Sequence, residues 1–581
     1  MSFIATRCWK ILEKNRVEPS EQPPRCPTLN PSTDHLHIGR HAMVSSDVDL
    51  CSTMGKEILL RGGNAADASV TVALCVGSIN SGSSGIGGGG FIVSSSNSTK
   101  KVLSIDAREM APGMAYSSMF EKNPVLSVVG GLSNGIPGEL KGLDVLFHTH
   151  GSGNLTWAEV IEPVIRLNRD GFECTLSLEV TIQALHDRYF TKIPDLAKSW
   201  DFIYNEDGSL KKVGQLVQRQ NLARTLELVA QNGSSAIFYD PNGPIVPHLI
   251  EANNKWGGLF TSKDFALYET KVEDALSYKF GDLEVYTTSG ISSGIVLIAG
   301  LNLYSKLQKA TDASYLQIHK FIETMKWMAS ARTRLGDTRT SEEYQEIVSN
   351  YTSDSWSEDI RDNKYFDTQT FHWSHYDPLF QTSESHGTTH FSVLDDQDNG
   401  VGMTSTVNLL FGSIVYDPIT GVILNNEMDD FSTKSYNNSF QLQPSKFNTV
   451  QPYNRPLSSA APTIIMENGI PIFLVGAAGG SRITTAVLQA IMRVFNFNSD
   501  LLSAIANPRL HHQLLPNYVL LENITLTSEE LGYGVLEQLE GLGHTFQETG
   551  VETTMNAIHR VRDTIHGVAD FWRKFGEADG Y

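Results

Sequence analysis

The segment SHGTTHFSV, residues 385–393, combines a predicted strand with a candidate nucleophile, and the other candidate site residues are considered in relation to it. Strand alternation places Thr388, His390 and Ser392 on one face of a predicted strand. A threonine hydroxyl is a weak nucleophile unless a base lies beside it. Cleavage of the Gly387–Thr388 peptide bond would provide that base, because the new α-amino group titrates near pH ~8 and lies on the same residue. We therefore predict a strand whose first threonine gains its own base by self-cleavage; an ordinary β-strand is the alternative.

The next predicted strand, MTSTVNL at residues 403–409, offers a polar face. Alternation puts Thr404, Thr406 and Asn408 on the same side. If this side faces the nucleophile, Thr406 can orient it and Asn408 can accept a hydrogen bond from a substrate. A solvated sheet face is the alternative, since antiparallel sheets often expose one polar side.

An acidic segment, NNEMDD at residues 425–430, follows these strands. If it forms a helical turn, Glu427 and Asp430 share a side. Clustered like charges are costly unless a cation lies among them. A substrate ammonium group or a calcium ion would serve, although no EF-hand spacing supports calcium. The alternative is an acidic turn in solvent.

Arg108 ends the second of two predicted strands, in the sequence IDARE at residues 105–109. A guanidinium group binds a carboxylate through two parallel hydrogen bonds, so Arg108 could hold an anionic substrate. It could equally pair with its neighbours Asp106 or Glu109.

Two further segments offer hydrogen-bond donors. Ser458 and Ser459 lie on a loop that Pro456 and Pro462 make rigid. The segment LVGAAGGS, residues 474–481, passes from a predicted strand into a predicted helix, whose first amides suit an oxyanion. Together with the predicted nucleophile and the charged segments, they describe an acyl-transfer pocket that binds one ammonium and one carboxylate group.

Two glycine motifs point to other chemistries. GIGGGG, residues 85–90, satisfies G-x-G-x-x-G, but a predicted strand follows it where a dinucleotide site requires a helix, so that reading is rejected. GISSG, residues 290–294, matches the G-x-S-x-G elbow of serine hydrolases, with a predicted strand before it and a predicted helix after it. A serine hydrolase that uses Ser292 is therefore a rival hypothesis, and a simple helix cap is its alternative.

Composition limits the class of protein and of partner. The chain has 581 residues, of which 40% are hydrophobic and 19% charged, and this excludes a disordered chain. Its 45 basic and 65 acidic residues give a net charge of −20, which disfavours nucleic-acid binding. No HExxH or paired-cysteine pattern accompanies the histidines, so no metal site is predicted. Helical patterns mixed with hairpin-linked strands predict a mixed α/β layer structure, with the polar residues 345–386 as a long loop.

The amino-terminal region and the cysteines bear on the compartment. Residues 1–39 are rich in proline and contain no apolar run long enough for a signal peptide or anchor, which predicts a disordered segment. Cys51 and Cys75 could form a disulfide in a secreted protein, or remain two buried thiols. Six N-x-[ST] sequons suit a glycosylated lumenal protein. They begin at Asn97, Asn154, Asn232, Asn350, Asn437 and Asn523.

Ten segments in this order resemble the gamma-glutamyltransferase (gamma-glutamyl transpeptidase) family of the N-terminal-nucleophile hydrolase superfamily. The resemblance runs from about residue 40 to Tyr581. The matching segments are GGNAADA (62–68), SSGIGGGGFIV (83–93), DARE (106–109), IPGELKGL (136–143), GTTHFSV (387–393), TSTVNLLFGS (404–413), NNEMDDFS (425–432), PLSSAAPTI (456–464), VGAAGG (475–480) and NPRLHHQLLP (507–516).

The resemblance implies a four-layer αββα sandwich, made as one precursor that cleaves itself between Gly387 and Thr388. It implies a large subunit, residues 40–387, and a small catalytic subunit, residues 388–581, which fold together as one interleaved domain and remain a heterodimer. Thr388 would be the nucleophile and Thr406 its orienting neighbour. By the same resemblance, the α-carboxylate would be held by Arg108, Ser458 and Ser459, the α-ammonium by Asn408, Glu427 and Asp430, and the oxyanion by the amides of Gly479 and Gly480.

The implied substrates are glutathione, its S-conjugates and other γ-glutamyl amides, with an amino acid, a dipeptide or water as the acceptor. No metal or organic cofactor is expected. The resemblance implies the secretory pathway, at the cell surface or in the vacuole, although eukaryotic members commonly carry a signal anchor that is not visible in this sequence. The Ser292 hydrolase and an uncleaved, non-catalytic binding protein are the two rival hypotheses.

Overall fold

The structure is a computed structural model that describes residues 31–309, 311–380, 387–432, 444–522 and 533–581. Residues 1–30 of the segment predicted to be disordered lie outside the described residues, as do the sequons at Asn437 and Asn523. Among the helices that the structure describes, none is both long and apolar enough to cross a membrane.

Nineteen β-strands are present in the described ranges. In chain order they are β1 (His37–Gly39), β2 (Met43–Ser46), β3 (Gly89–Ser96), β4 (Lys101–Ala107), β5 (Phe172–Glu173), β6 (Leu216–Val217), β7 (Lys271–Asp274), β8 (Leu276–Phe280), β9 (Leu283–Thr287), β10 (Thr388–Leu394), β11 (Gly400–Thr406), β12 (Thr463–Glu467), β13 (Ile470–Ala478), β14 (Leu510–His511), β15 (Val519–Glu522), β16 (Phe546–Thr549), β17 (Thr554–Val561), β18 (Thr564–Ala569) and β19 (Glu577–Gly580).

Several of the α-helices begin at local sequence signals, because side chains such as those of Asn64 and Thr156 cap their first amides. The helices are Asp49–Leu60, Ala65–Ile79, Glu139–His150, Trp157–Asp170, Leu176–Leu185, Pro194–Ala197, Gln220–Asn232, Ala236–Tyr239, Val246–Lys255, Ser262–Leu267, Gly294–Leu307, Ser314–Arg332, Ser341–Thr352, Asp354–Asn363, Ile483–Phe495, Leu501–Ala506 and Tyr533–Gly541.

Two seven-stranded antiparallel sheets form the centre of the molecule. The first has the order β1-β18-β17-β13-β12-β9-β8, and the second has the order β19-β2-β10-β11-β3-β4-β7. Both sheets contain strands from before and after Gly387: β10, β11 and β19 lie in the second sheet beside β2, β3, β4 and β7. The two sides of the predicted cleavage site are therefore interleaved in space.

The buried apolar side chains separate into layers. Met43, Leu394 and Leu474 belong to a cluster between the two sheets. The opposite face of the second sheet, including Phe391, packs on a helical layer that contains Ala65–Ile79. The outer face of the first sheet packs on the helices Gly294–Leu307 and Ile483–Phe495. The expected four-layer αββα architecture is confirmed.

Residues 345–386 differ from the long loop that their polarity predicts. The helix Ser341–Thr352 runs into this region and the helix Asp354–Asn363 follows it. The first helix has a capping box made by Thr340 and Glu343, and it buries Ile347 and Tyr351 on one side. The prediction of a loop is therefore wrong for residues 345–363, which are polar because the two helices expose most of their surface. Residues 364–380 are irregular apart from the 3₁₀ turn Trp373–Tyr376, and residues 381–386 lie outside the described residues.

Candidate active site

Thr388 is the first residue of β10, a central strand that lies between β2 and β11. The register pairs Thr388 with Thr406 at the end of β11. Thr388 is buried, with 5% of its surface exposed, and its hydroxyl donates to Thr406 Oγ1 at 3.4 Å. The predicted nucleophile and its predicted orienting neighbour are thus in direct contact.

The hydroxyl of Thr406 is fixed by two backbone groups. It donates to the carbonyl oxygen of Gly387 at 2.6 Å and accepts from the amide of Asn408 at 2.7 Å. Because Gly387 carries the carbonyl of the predicted scissile bond, Thr406 lies where it can polarise that carbonyl and also contact the hydroxyl of Thr388.

Asn408 does not continue the polar face of β11. The strand ends at Thr406, and Asn408 has a φ of +73°, a left-handed conformation that asparagine tolerates better than most residues. Its side-chain amide donates to the carbonyl oxygen of Asn426 at 2.9 Å. The predicted strand face is therefore wrong at this residue, but the turn brings Asn408 to the acidic segment.

Glu427 and Asp430 lie on one 3₁₀ turn, Glu427–Asp430, and both are buried. The side chain of Asn425 fixes the turn, because it accepts from the amide of Glu427 at 3.0 Å and donates to Gly87 and Gly135. Burial raises the pKa of Glu427 well above its ordinary value, while attraction to Arg108 lowers it. An acidic turn in solvent is excluded.

Arg108 lies between these two carboxylates. Its guanidinium pairs with Glu427 and, at 2.5 Å, with Asp430, and it is also 3.8 Å from Glu109. Burial lowers the pKa of Arg108, and the attraction of these carboxylates outweighs that effect and raises it. The side chain of Asp106, the other neighbour considered from the sequence, pairs with Arg455 at 2.9 Å.

Arg108 also links the acidic turn to the serine loop. Its Nε donates to the carbonyl oxygen of Pro456 at 3.0 Å. On that loop, Ser458 and Ser459 are each 7% exposed. Two hydrogen bonds hold the backbone of Ser458. Its amide donates to the carbonyl oxygen of Ile291 at 3.0 Å, and its carbonyl oxygen accepts from the hydroxyl of Ser293 at 2.6 Å.

Ser292 lies between the two residues that hold Ser458, Ile291 and Ser293. It follows strand β9 and precedes the helix Gly294–Leu307, as the elbow motif requires. Its hydroxyl, however, donates to the carbonyl oxygens of Thr288 and Ser289 at 3.0 and 2.9 Å, and no histidine in the described ranges hydrogen-bonds to it. The Ser292 hydroxyl also accepts from the amide of Gly294 at 3.4 Å, so it is bound within the turn before the helix, an arrangement that argues against a nucleophile.

Gly479 and Gly480 lie between β13 and the helix Ile483–Phe495. Both have positive φ, +132° and +60°. A Cβ at Gly479 would lie 2.3 Å from the carbonyl oxygen of Glu552, so a larger residue does not fit there.

A pocket of about 410 Å³ joins most of these residues. Seven of the predicted site residues line it, whereas Gly387, Asn408, Glu427 and Gly479 are not among the lining residues. The predicted residues at the wall are Arg108, Thr388, Thr406, Asp430, Ser458, Ser459 and Gly480. The predicted nucleophile and two kinds of charged group therefore share one pocket.

Three residues near Thr388 were missed in the sequence. Arg332, at the end of the helix Ser314–Arg332, lines the same pocket. Lys574 donates to the carbonyl oxygen of Thr388 at 2.8 Å and pairs with Asp47 at 2.7 Å. Asp47 and Lys574 come from opposite ends of the chain, and no local pattern in the sequence distinguishes these residues.

One group of side chains has the composition of a metal site. His319, Glu323 and His544 place one ligand atom each within 4.8 Å of the others. Glu323 is already paired with Lys326 at 3.1 Å, and His319 and His544 share a hydrogen bond of 2.7 Å. Burial lowers the pKa of His544 to about 2. The hydrogen bond between the two histidines and the ion pair of Glu323 with Lys326 explain why these three side chains lie together.

Cys51 and Cys75 are joined by a disulfide that links the helices Asp49–Leu60 and Ala65–Ile79, with a Cα–Cα distance of 5.5 Å. Of the four described sequons, Asn154, Asn232 and Asn350 are exposed, whereas Asn97 is half-buried.

Comparison with known proteins assigns the chain to a family. The family model described as gamma-glutamyltranspeptidase matches residues 51–580. Glutathione hydrolase proenzyme 1 of Schizosaccharomyces pombe is 38% identical over 543 residues, which cover 92% of this chain and 83% of that protein. Glutathione hydrolase 2 of Arabidopsis thaliana is 35% identical, over 84% of this chain and 83% of its own length. The solved cephalosporin acylase from Bacillus halodurans has a TM-score of 0.81 at 21% identity, covers 98% of this chain and 99% of its own, and so shares the fold. The chain belongs to the gamma-glutamyltranspeptidase family.

Proposed function

We propose that this protein is a gamma-glutamyltransferase with glutathione hydrolase activity and that Thr388 is its nucleophile. The observation that carries the proposal is the contact of Thr388 with Thr406 in a pocket that also contains Arg108 and Asp430. A γ-glutamyl group has one reactive carbonyl and, at its other end, an ammonium and a carboxylate on the same carbon. The pocket matches that combination, and the names of the relatives agree with it.

The first step is self-cleavage of the precursor. The hydroxyl oxygen of Thr388 attacks the carbonyl carbon of Gly387, the bond from that carbon to the nitrogen of Thr388 breaks, and the nitrogen takes the hydroxyl proton. The hydrogen bond from Thr406 to the Gly387 oxygen, 2.6 Å, supports polarisation of this carbonyl. Water then hydrolyses the ester, which leaves residues up to 387 with a carboxylate and Thr388 with a free amine.

Catalysis uses the same hydroxyl with that amine as its base. Thr388 attacks the γ-amide carbonyl of glutathione, and the amine passes the proton to the departing nitrogen of cysteinylglycine. The γ-glutamyl ester then reacts with an amino acid, a dipeptide or water. Ser458, Ser459 and Gly480 border the space in which the glutamyl group is enclosed, which supports the roles expected for them.

A single set of variants tests the proposal. Purified wild-type protein should separate into two fragments on a denaturing gel and release nitroaniline from a γ-glutamyl p-nitroanilide, faster when a dipeptide acceptor is present. Thr388→Ala should give one band and no activity, whereas Ser292→Ala should keep both properties. Loss of activity in Ser292→Ala with full activity in Thr388→Ala would favour the serine hydrolase, and an inactive, single-band wild type would favour the binding protein.

We also propose passage through the secretory pathway, where the two parts of the precursor stay together as a heterodimer. The exposed sequons at Asn154, Asn232 and Asn350 and the disulfide between Cys51 and Cys75 support this location. Protein from a eukaryotic host should lose mass on treatment with an endoglycosidase. An unchanged mass would contradict the proposal.

A further inference from the structure

Arg332 is a buried cation in the pocket that contains Thr388. It ends the helix Ser314–Arg332, lines the pocket that contains Thr388, and is only 7% exposed. Its Nε makes no hydrogen bond, and its guanidinium forms no ion pair with any residue in the described ranges. Burial lowers its pKa to about 10, so the group still carries its charge at neutral pH. A buried charge without a partner is costly, and an anion in the pocket would offset that cost.

Arg108, in contrast, is already occupied on every side. Its Nε donates to Pro456, and its terminal nitrogens contact Glu427, Asp430 and the carbonyl oxygen of Leu457. A carboxylate that reached Arg108 would compete with two carboxylates already in place. The pocket therefore has two cations. Arg108 holds the acidic turn in place, and Arg332 has hydrogen-bond donors available for a ligand.

The neighbours of Arg332 indicate which anion it would bind. Arg332, Arg108 and Asp430 line the same pocket, and the charges of Asp430 and Arg108 both act on the pKa of Arg332, which Asp430 raises and Arg108 lowers. Asp430 belongs to the turn expected to hold the substrate ammonium. In an α-amino acid the ammonium and the carboxylate are attached to the same carbon, so their binding groups have to be neighbours.

We propose that Arg332 binds the α-carboxylate of the γ-glutamyl donor and thereby determines specificity together with Arg108. This inference rests on the proposed function, because it assigns the donor carboxylate of that same reaction. Arg108 then has a second role, which is to hold Glu427 and Asp430 in place for the ammonium group.

A pair of substrates that differ only in the carboxylate provides the test. γ-Glutamyl p-nitroanilide has the α-carboxylate, and 4-aminobutyryl p-nitroanilide lacks it but keeps the amine and the reactive amide. For Arg332→Gln we expect kcat/KM on the first substrate to fall about 10- to 150-fold, mainly through KM, the range for a charge-assisted hydrogen bond. On the second substrate, measured at high enzyme concentration, we expect a change of less than about twofold, because the contact is absent there.

Matched variants separate this role from a structural one. Arg334→Gln removes a nearby arginine that pairs with Asp377 at the surface, and it should leave kcat/KM on both substrates unchanged. Arg332→Lys keeps the charge without the two-pronged geometry, and it should give a smaller loss confined to the γ-glutamyl substrate. Self-cleavage into two fragments reports that each variant has folded.

Two results would overturn the inference. Equal losses on both substrates in the glutamine and lysine variants would mean that Arg332 only supports the pocket, and no loss on either would mean that it does not touch the donor. Both results leave the wild type active and the proposed function intact. A wild type inactive on γ-glutamyl p-nitroanilide would instead refute the proposed function, and this inference with it.

Discussion

Gly387→Ala should slow self-cleavage without blocking folding. A Cβ at residue 387 would lie 2.3 Å from the carbonyl oxygen of Asn408 and 2.9 Å from the carbonyl carbon of Leu409. Both are backbone atoms, so no side chain can swing away to make room. An unstrained contact needs about 3.4 Å, and therefore the backbone at residue 387 has to move by about 1 Å.

That movement acts on the atoms that react. The carbonyl oxygen of Gly387 accepts from Thr406 at 2.6 Å, and a shift of about 1 Å lengthens or breaks this hydrogen bond. The carbonyl carbon also moves relative to the Thr388 hydroxyl. Misplacement of a reacting group by about 1 Å costs on the order of 100-fold in rate, which corresponds to about 2.7 kcal/mol of activation free energy.

The assay follows the precursor band on denaturing gels after synthesis in a cell-free system. Gly534→Ala is a suitable control, because the space around a Cβ at that residue is open. We expect precursor of the Gly387→Ala variant to persist about 100 times longer than that of the wild type, and the control to match the wild type. Self-cleavage of Gly387→Ala within about threefold of the wild-type rate would refute the link between Thr406 and the scissile carbonyl.

Two further predictions concern Arg108 and His390. Arg108→Gln leaves Glu427 and Asp430 buried without their cation, so KM for γ-glutamyl p-nitroanilide should rise by about 100-fold or more, while two fragments still form; unchanged kinetics would contradict its role. Burial lowers the pKa of His390 to about 3 from an ordinary ~6.5, so the stability that comes from its neutral form is present above pH 6.5 and is lost as the pH falls towards 3. Both proteins carry Thr388→Ala so that they stay uncleaved, and one also carries His390→Gln. Between pH 7 and pH 5 the free energy of unfolding, measured with urea, should therefore fall by about 2 kcal/mol more in the protein that keeps His390. Equal decreases would show that His390 is not held neutral.

Local periodicity was enough to predict strand β10 and its two faces. Thr388 and His390 alternate with Phe391 across β10 because a strand has a period of two, and the apolar face packs on helices. Asn408 shows where that reasoning stops. The chain leaves β11 at Thr406 through a left-handed turn, and an asparagine that adopts this conformation has no signature that separates it from a strand residue.

The contacts between distant segments could not be predicted from the sequence. Lys574 and Asp47 meet beside Thr388 only because β2, β10 and β19 are neighbours in one sheet. Arg332 lies in a helix whose other buried residues include charged side chains, so its charge alone does not mark it. The helices within residues 345–386 were missed for a different reason: their apolar side is narrow, and the capping box of Thr340 and Glu343 was the signal that could have identified the first of them.

Sequencing the amino terminus of the smaller fragment by Edman degradation tests the central claim most directly. Cleavage between Gly387 and Thr388 predicts the sequence Thr-Thr-His-Phe-Ser-Val in a preparation that is active on γ-glutamyl p-nitroanilide. An active preparation that consists of one unbroken chain, or a fragment that begins at another residue, would contradict it.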